Sequence, residues 1–167
     1  MGSTALALSG PPDGPLTGTV DARDFWIVNE PRLGSLVSTA PAGGDRSLNQ
    51  ALRSQIDVSR VRFDRGFASL GKGPGYLLVE RGVLRSPQIG TTFRGTLYDA
   101  NGRMDMSGTF MPAYGLNRLF GEIPIVGQIL GNGRDGGLIG VTYRLAGEAG
   151  EPQLQINPLS VIAPGIF

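Results

Sequence analysis

Between residues 56 and 110 apolar and polar side chains alternate with a period of two, the mark of strands that bury one face. Ile56 and Val58 alternate with Asp57 and Ser59, and Val61 and Phe63 with Arg60, Arg62 and Asp64. The glycine-rich cluster from Gly71 to Gly75 is expected to turn the chain into a strand from Tyr76 to Leu84, and Pro87 marks the next connection. Ile89 to Tyr98 follows, with Ile89, Thr91, Phe93 and Leu97 on one face. Asp99-Ala100-Asn101-Gly102 is a hairpin signal, because Asn-Gly accepts the positive φ of a tight turn. The returning strand, Arg103 to Phe110, sends Met104, Met106 and Phe110 one way and Arg103, Asp105, Ser107 and Thr109 the other.

The flanks read similarly. Leu16 to Val28 is an alternating strand ending in Phe25-Trp26-Ile27-Val28. Pro31 opens a short helix with Leu33, Leu36 and Val37 on one stripe, and a second helix is expected from Asp45, carrying Leu48, Ala51 and Leu52. From Pro112 to Leu130 the apolar positions are too dense for a one-sided stripe, which suggests two short apolar helices broken at Gly121 and restarted at Pro124. Gly137 to Gly147 and Pro152 to Asn157 are the last strands, and Leu159 to Phe167 an apolar tail. Residues 1–15 read as a flexible lead-in and residues 16–167 as one domain. The expected fold is mainly β: a curled antiparallel meander, groove-like, with short helices at its concave side or end.

Composition narrows what such a sheet does. Only 17% of residues are charged, against about a quarter in ordinary soluble domains. Part of the surface is therefore apolar, which points to a partner, a groove or a membrane. The net charge of +1 comes from interspersed signs, so no basic run tracks a nucleic-acid backbone. The absence of histidine and cysteine removes the commonest general base and the commonest zinc ligands, and disulfides with them. No stretch reaches the roughly 18 apolar residues of a membrane span, and the start lacks the charged and apolar regions of a signal peptide. A role outside the cytoplasm would therefore require a preceding segment to carry the domain there.

Motifs that suggest nucleotides fail on context. Gly131-Asn132-Gly133-Arg134-Asp135-Gly136 spells a dinucleotide fingerprint, but an expected helix precedes it and a strand follows, the reverse of what a pyrophosphate site needs. Gly66 to Lys72 begins like a phosphate loop, yet Gly73 replaces the magnesium-binding hydroxyl and Pro74-Gly75 blocks the helix. A hairpin turn is expected there. The carboxylates Asp21, Asp24, Asp57, Asp64, Asp99, Asp105 and Asp135 sit mostly beside Arg or Gly, as expected of solvated strand faces and turn caps.

In order and spacing, Met104-Asp105-Met106-Ser107-Gly108-Thr109, Pro112-Ala113-Tyr114-Gly115-Leu116-Asn117, Ile123-Pro124-Ile125-Val126-Gly127, Gly136-Gly137-Leu138-Ile139-Gly140-Val141-Thr142-Tyr143, Asn157-Pro158-Leu159-Ser160 and Ala163-Pro164-Gly165 resemble the C-terminal domain of the AsmA-like family. Gly14 to Thr19 and Asp24-Phe25 resemble it more weakly. The resemblance implies a periplasmic domain of a diderm bacterium, part of a larger protein held in the inner membrane by an N-terminal helix. It further implies a role in moving phospholipid toward the outer membrane. The chain departs from the full-length pattern in lacking that helix and most of the groove, and its turn at Gly71 to Gly75 is unlike the family's.

Physical reasoning and resemblance lead to one expected mechanism, in which an apolar sheet face shields acyl chains while head groups stay in water. No cofactor or metal is called for, and no catalytic residue is assigned. The expected lining is Phe93, Leu97, Met104, Met106, Phe110, Ile139, Val141 and Tyr143, capped by Ile125, Val126 and Ile129. The methionines suit it because they repack around varied chains. The alternative is an assembly module that docks its parent on an outer-membrane protein partner, motivated by low charge and the apolar tail. A carboxylate hydrolase is a third reading, and it needs two buried aspartates in one cleft.

Overall fold

The computed structural model describes residues 2–39, 57–112 and 141–157. These form one open sheet of eight strands, β1 (Ser3–Ser9), β2 (Leu16–Val28), β3 (Arg60–Gly73), β4 (Tyr76–Arg85), β5 (Ile89–Tyr98), β6 (Arg103–Pro112), β7 (Val141–Glu148) and β8 (Gln153–Asn157). Spatial order equals chain order, and every neighbouring pair is antiparallel. The expected meander is observed. The helix expected from Asp45, those expected between Pro112 and Leu130, the expected first residues of β7 and the tail from Leu159 lie outside the described residues.

Directly opposed residues of an antiparallel pair share a face, so the register alone sorts the side chains. One row crosses all eight strands as Leu6, Val20, Ala68, Gly82, Phe93, Gly108, Tyr143 and Ile156. The next runs through Leu8, Gly18, Leu70, Val79, Gly95, Met106, Leu145 and Leu154. A third runs from Thr4 through Ala22, Gly66, Leu84, Thr91 and Phe110 to Val141. These apolar rows define the inner face. The outer face is polar over β5 to β8, where Thr92, Thr109, Thr142 and Asn157 form one ladder and Arg94, Ser107, Arg144 and Gln155 another.

Strict alternation breaks where β2 and β3 both step. Ala22 lies opposite Gly66 and Phe25 opposite Phe63, and all four belong to the inner face, so each strand carries two outward residues in succession. Asp24 takes the step with φ 52, in the left-handed region that aspartate tolerates better than most. Outward charges settle there: Arg62 donates to Asp24 at 2.6 Å, and Arg65 to Asp21 at 2.7 Å. A second irregularity, a bulge between Val79 and Gly82, points both Glu80 and Arg81 to solvent.

Turn chemistry follows the residues. The Asp99 carboxylate accepts from the backbone N–H groups of Asn101 and Arg103, both at 2.9 Å, and Gly102 takes φ 69. Gly66 to Gly73 is strand and Pro74-Gly75 the turn into β4, so the loop-like motif there is a hairpin, with Gly75 at φ 73. The chain before Leu16 needs correction. Instead of a flexible lead-in, Ser3 to Ser9 forms β1 on the edge of the sheet, in register with Thr17 to Arg23 of β2. Backbone pairing with β2 orders a segment whose small side chains give little sequence signal.

Helix α1 (Pro31–Ser38) connects β2 toward β3. Pro31 fits the first turn, where its missing N–H costs nothing, and the Glu30 side chain caps by accepting from the Arg32 N–H at 3.0 Å. Leu33, Leu36 and Val37 face the sheet and are buried against Val61, Phe63, Ile89, Phe110, Val141 and Tyr143. The Arg32 guanidinium reaches the Pro152 carbonyl at 3.1 Å, fastening the helix to the segment before β8.

Candidate functional site

The inner face carries two clusters that meet at Leu145. Under α1 the packing is closed: Val61, Phe63, Ile89, Phe110 and Val141 are each 1% exposed. Phe25 and Phe63 stack with ring centroids 5.5 Å apart. Away from the helix the second cluster has only Ala68, Val79 and Met106 fully buried, while Val20, Leu70, Phe93, Leu97 and Met104 around them are half-buried. No helix of the described residues is packed on this half.

The expected lining residues divide along that line. Phe93, Leu97, Met104 and Met106 come together on the half without a helix. Phe110, Val141 and Tyr143 lie in the closed cluster beneath α1, so they serve as core rather than as an open lining. Ile125, Val126, Ile129 and Ile139 lie outside the described residues. Sequence reasoning missed Val20, Ala68, Leu70 and Val79. Val20 sits in the alternation of β2, a usable signal, but Ala68 and Leu70 are hidden behind the step in β3 and Val79 behind the bulge in β4.

Small residues shape the relief of this surface. A Cβ on Gly82 would come within 2.2 to 2.5 Å of three carbons of the Phe93 ring, so that ring covers the glycine opposite it. Gly108, on the other side of Phe93, lies under Tyr143, whose hydroxyl oxygen would be 2.7 Å from a Cβ there. Covering an in-sheet glycine with a cross-strand ring offsets the packing that the glycine forgoes. The Tyr143 hydroxyl donates to the Thr92 carbonyl at 3.2 Å and meets the Thr91 hydroxyl at 3.0 Å. Burial pushes the Tyr143 phenol above its usual range, and the Thr91 hydrogen bond opposes that shift in part.

The outer face holds the charge. Arg144 grips Asp105 with two hydrogen bonds of 2.8 and 2.7 Å, and the Arg144 guanidinium holds the Asp105 carboxyl below its usual range. Arg65, chiefly by its hydrogen bond, does the same to Asp21. Arg60 lies over the half-exposed Trp26 ring at 4.2 Å. Among the described residues no group of three or more His, Cys, Asp or Glu side chains is placed to hold a metal ion, and no helix is long and apolar enough to cross a membrane. Compared with known proteins, the chain matches no family model, no curated sequence and no solved structure.

Proposed function

We propose that this chain is a non-catalytic lipid-handling domain. In this reading it is the C-terminal piece of a periplasmic AsmA-like protein anchored in the inner membrane, acting in phospholipid transport between the inner and outer membranes and in outer-membrane biogenesis. The family assignment rests on the ordered motifs from Met104 to Gly165. The mechanism rests on one observation: an apolar sheet face closed by a helix at one end and left half-buried at the other, around Val20, Leu70, Phe93, Leu97 and Met104.

That surface suits a hydrocarbon chain. It runs from Val20 on β2 to Met104 on β6, about 19 Å across at about 4.8 Å per strand spacing, against the ~15 Å of one leaflet's acyl region, half of a ~30 Å bilayer core. Each methylene removed from water contributes about 0.8 kcal/mol, so a few resting on this face give useful affinity without any polar contact to the tail. Met104, half-buried on this surface, adapts to tails of different length and unsaturation. The head group stays in water, and no cofactor or covalent step enters.

Native mass spectrometry of the purified chain, delipidated and then offered phospholipid in mild detergent, tests the reading. A bound phospholipid is expected, and it is expected to be lost in Leu97→Asp with circular dichroism unchanged. A folded chain that takes up no phospholipid, or a Leu97→Asp variant that retains it fully, would overturn it.

A further inference from the structure

The inner face of the eight strands carries a single charged side chain, Lys72. On β3 it follows Leu70 by one alternation, and the register sets it between Leu16 of β2 and Leu77 of β4, both half-buried. Gly71 and Gly73 flank it on the opposite face, where a Cβ on them would meet Leu78 and the Tyr76 ring. Every other charge of the strands belongs to the outer face or, at Glu80 and Arg81, to the bulge that turns to solvent. Lys72 is exposed, and among the described residues it makes no ion pair, whereas Arg62, Arg65 and Arg144 on the outer face each hold an aspartate. It is the only lysine of the chain. It stands at the end of β3 away from α1, beside Leu70 of the half-buried surface.

We infer that Lys72 is the head-group contact of the bound lipid, taking the phosphate of a phospholipid and so fixing which way the molecule lies on the sheet. No carboxylate shares this face to compete for the ammonium, and no second cation competes for an anion. Lysine suits such a rim, because its aliphatic stem rests on apolar surface while the ammonium stays in water. A point charge also accepts a phosphodiester from many directions, without the fixed geometry that a guanidinium fork demands. From Lys72 on β3 to Met104 on β6 is three strand spacings, about 14 Å at about 4.8 Å each, close to the ~15 Å of one leaflet's acyl region. With its phosphate at Lys72, a phospholipid lays its tail over Leu70, Phe93 and Leu97 toward Met104, and its head group remains solvated. The inference rests on the lipid-handling reading above and adds the class of head group and the polarity of the lipid.

Titration of the full chain in mild detergent with dioleoylphosphatidylglycerol, and with dioleoylglycerol, which has the same tails and no phosphate, separates head from tail. Wild type is expected to bind the phospholipid about fivefold more tightly, the contribution of one lysine beside anionic head groups. Lys72→Gln is expected to abolish that preference while leaving dioleoylglycerol binding as it was, and Lys72→Arg to keep it. Bound dioleoylphosphatidylglycerol should also slow acetylation of Lys72, read by peptide mass spectrometry on the chain's only lysine, and dioleoylglycerol should not. Equal binding of the two lipids by wild type, or a Lys72→Gln variant that keeps the preference, overturns the inference and leaves the apolar surface standing as a lipid site. Binding of neither lipid removes both. Inorganic phosphate at millimolar concentration is not expected to displace dioleoylphosphatidylglycerol; displacement would assign Lys72 to a free anion and overturn the head-group role.

Discussion

The division of the inner face into a closed end and a half-open end makes a quantitative prediction from two truncations, Phe110→Ala and Leu97→Ala. Phe110 is 1% exposed, and beneath α1 it packs with Val141, Ile89 and the helix residues Leu33 and Leu36. Removing a sealed phenyl loses its transfer free energy and leaves a cavity that backbone-paired strands cannot collapse to fill. The expected cost is about 3–5 kcal/mol. Leu97 is half-buried at the edge of the second cluster, with solvent on one side. It forfeits about half of the 1.5–3 kcal/mol of full burial and leaves no closed cavity, so about 1 kcal/mol is expected. Urea unfolding followed by tryptophan fluorescence, with Trp26 as the single reporter, gives both values from midpoint shifts at constant slope. Equal losses of about 3 kcal/mol or more would mean that Leu97 is sealed as deeply as Phe110, and the half-open surface would not exist. A loss under about 1 kcal/mol for Phe110→Ala would refute the closed end.

Further outcomes follow from the same geometry. Gly108→Val is expected to destabilise by several kcal/mol, because a side chain there meets the Thr92 carbonyl and the Tyr143 ring and cannot fit without moving a strand; thermal unfolding measures it. Tyr143→Phe removes the hydroxyl that bonds Thr92 and Thr91 and should cost about 1 kcal/mol by the same denaturation assay. The Tyr143 phenol is raised in the folded state, so its neutral form is favoured by folding. Its contribution is present below the unfolded value near 10 and is lost as pH climbs through the folded one, which alkaline titration of wild type against Tyr143→Phe resolves. Asp105 is lowered, so the linkage runs the other way: what Arg144 contributes through it is present above the ordinary carboxylate range and disappears as pH falls through the folded value. Arg144→Ala should return the Asp105 carboxyl to its ordinary range by NMR titration while barely moving the unfolding midpoint, because the pair is exposed.

The central meander was legible because its alternation is regular and its punctuation has a mechanism. From Ile89 to Phe110 the expected faces and the Asn101-Gly102 turn are those observed. The helix at Pro31 was legible from its proline and its apolar stripe. What alternation could not show lies where it breaks. The paired steps at Arg23-Asp24 and Asp64-Arg65 reverse the parity of β2 and β3, so reading straight through assigns Ala68 and Leu70 to the wrong side. A step in one strand is tolerated only because the neighbour steps with it, and no single-strand pattern contains that information. β1 was invisible for another reason: Ser, Ala and Leu carry weak strand preference, and pairing with β2 overrides it. For the candidate site, the sequence identified the apolar face but not which half of it α1 would cover. Phe110, Val141 and Tyr143 share parity with Met104 and Met106, and only the landing position of Leu33, Leu36 and Val37 separates core from surface.

The half-open apolar face is tested most directly by a phospholipid with a photoreactive diazirine in its acyl tail, crosslinked to the folded chain and mapped by peptide mass spectrometry. Adducts are expected on Phe93, Leu97 and Met104 and their inner-face neighbours Val20 and Leu70, with Phe110 and Val141 unlabelled. Labelling only of outer-face residues such as Trp26 and Val28, or none on a folded chain, would contradict the claim that this face holds hydrocarbon.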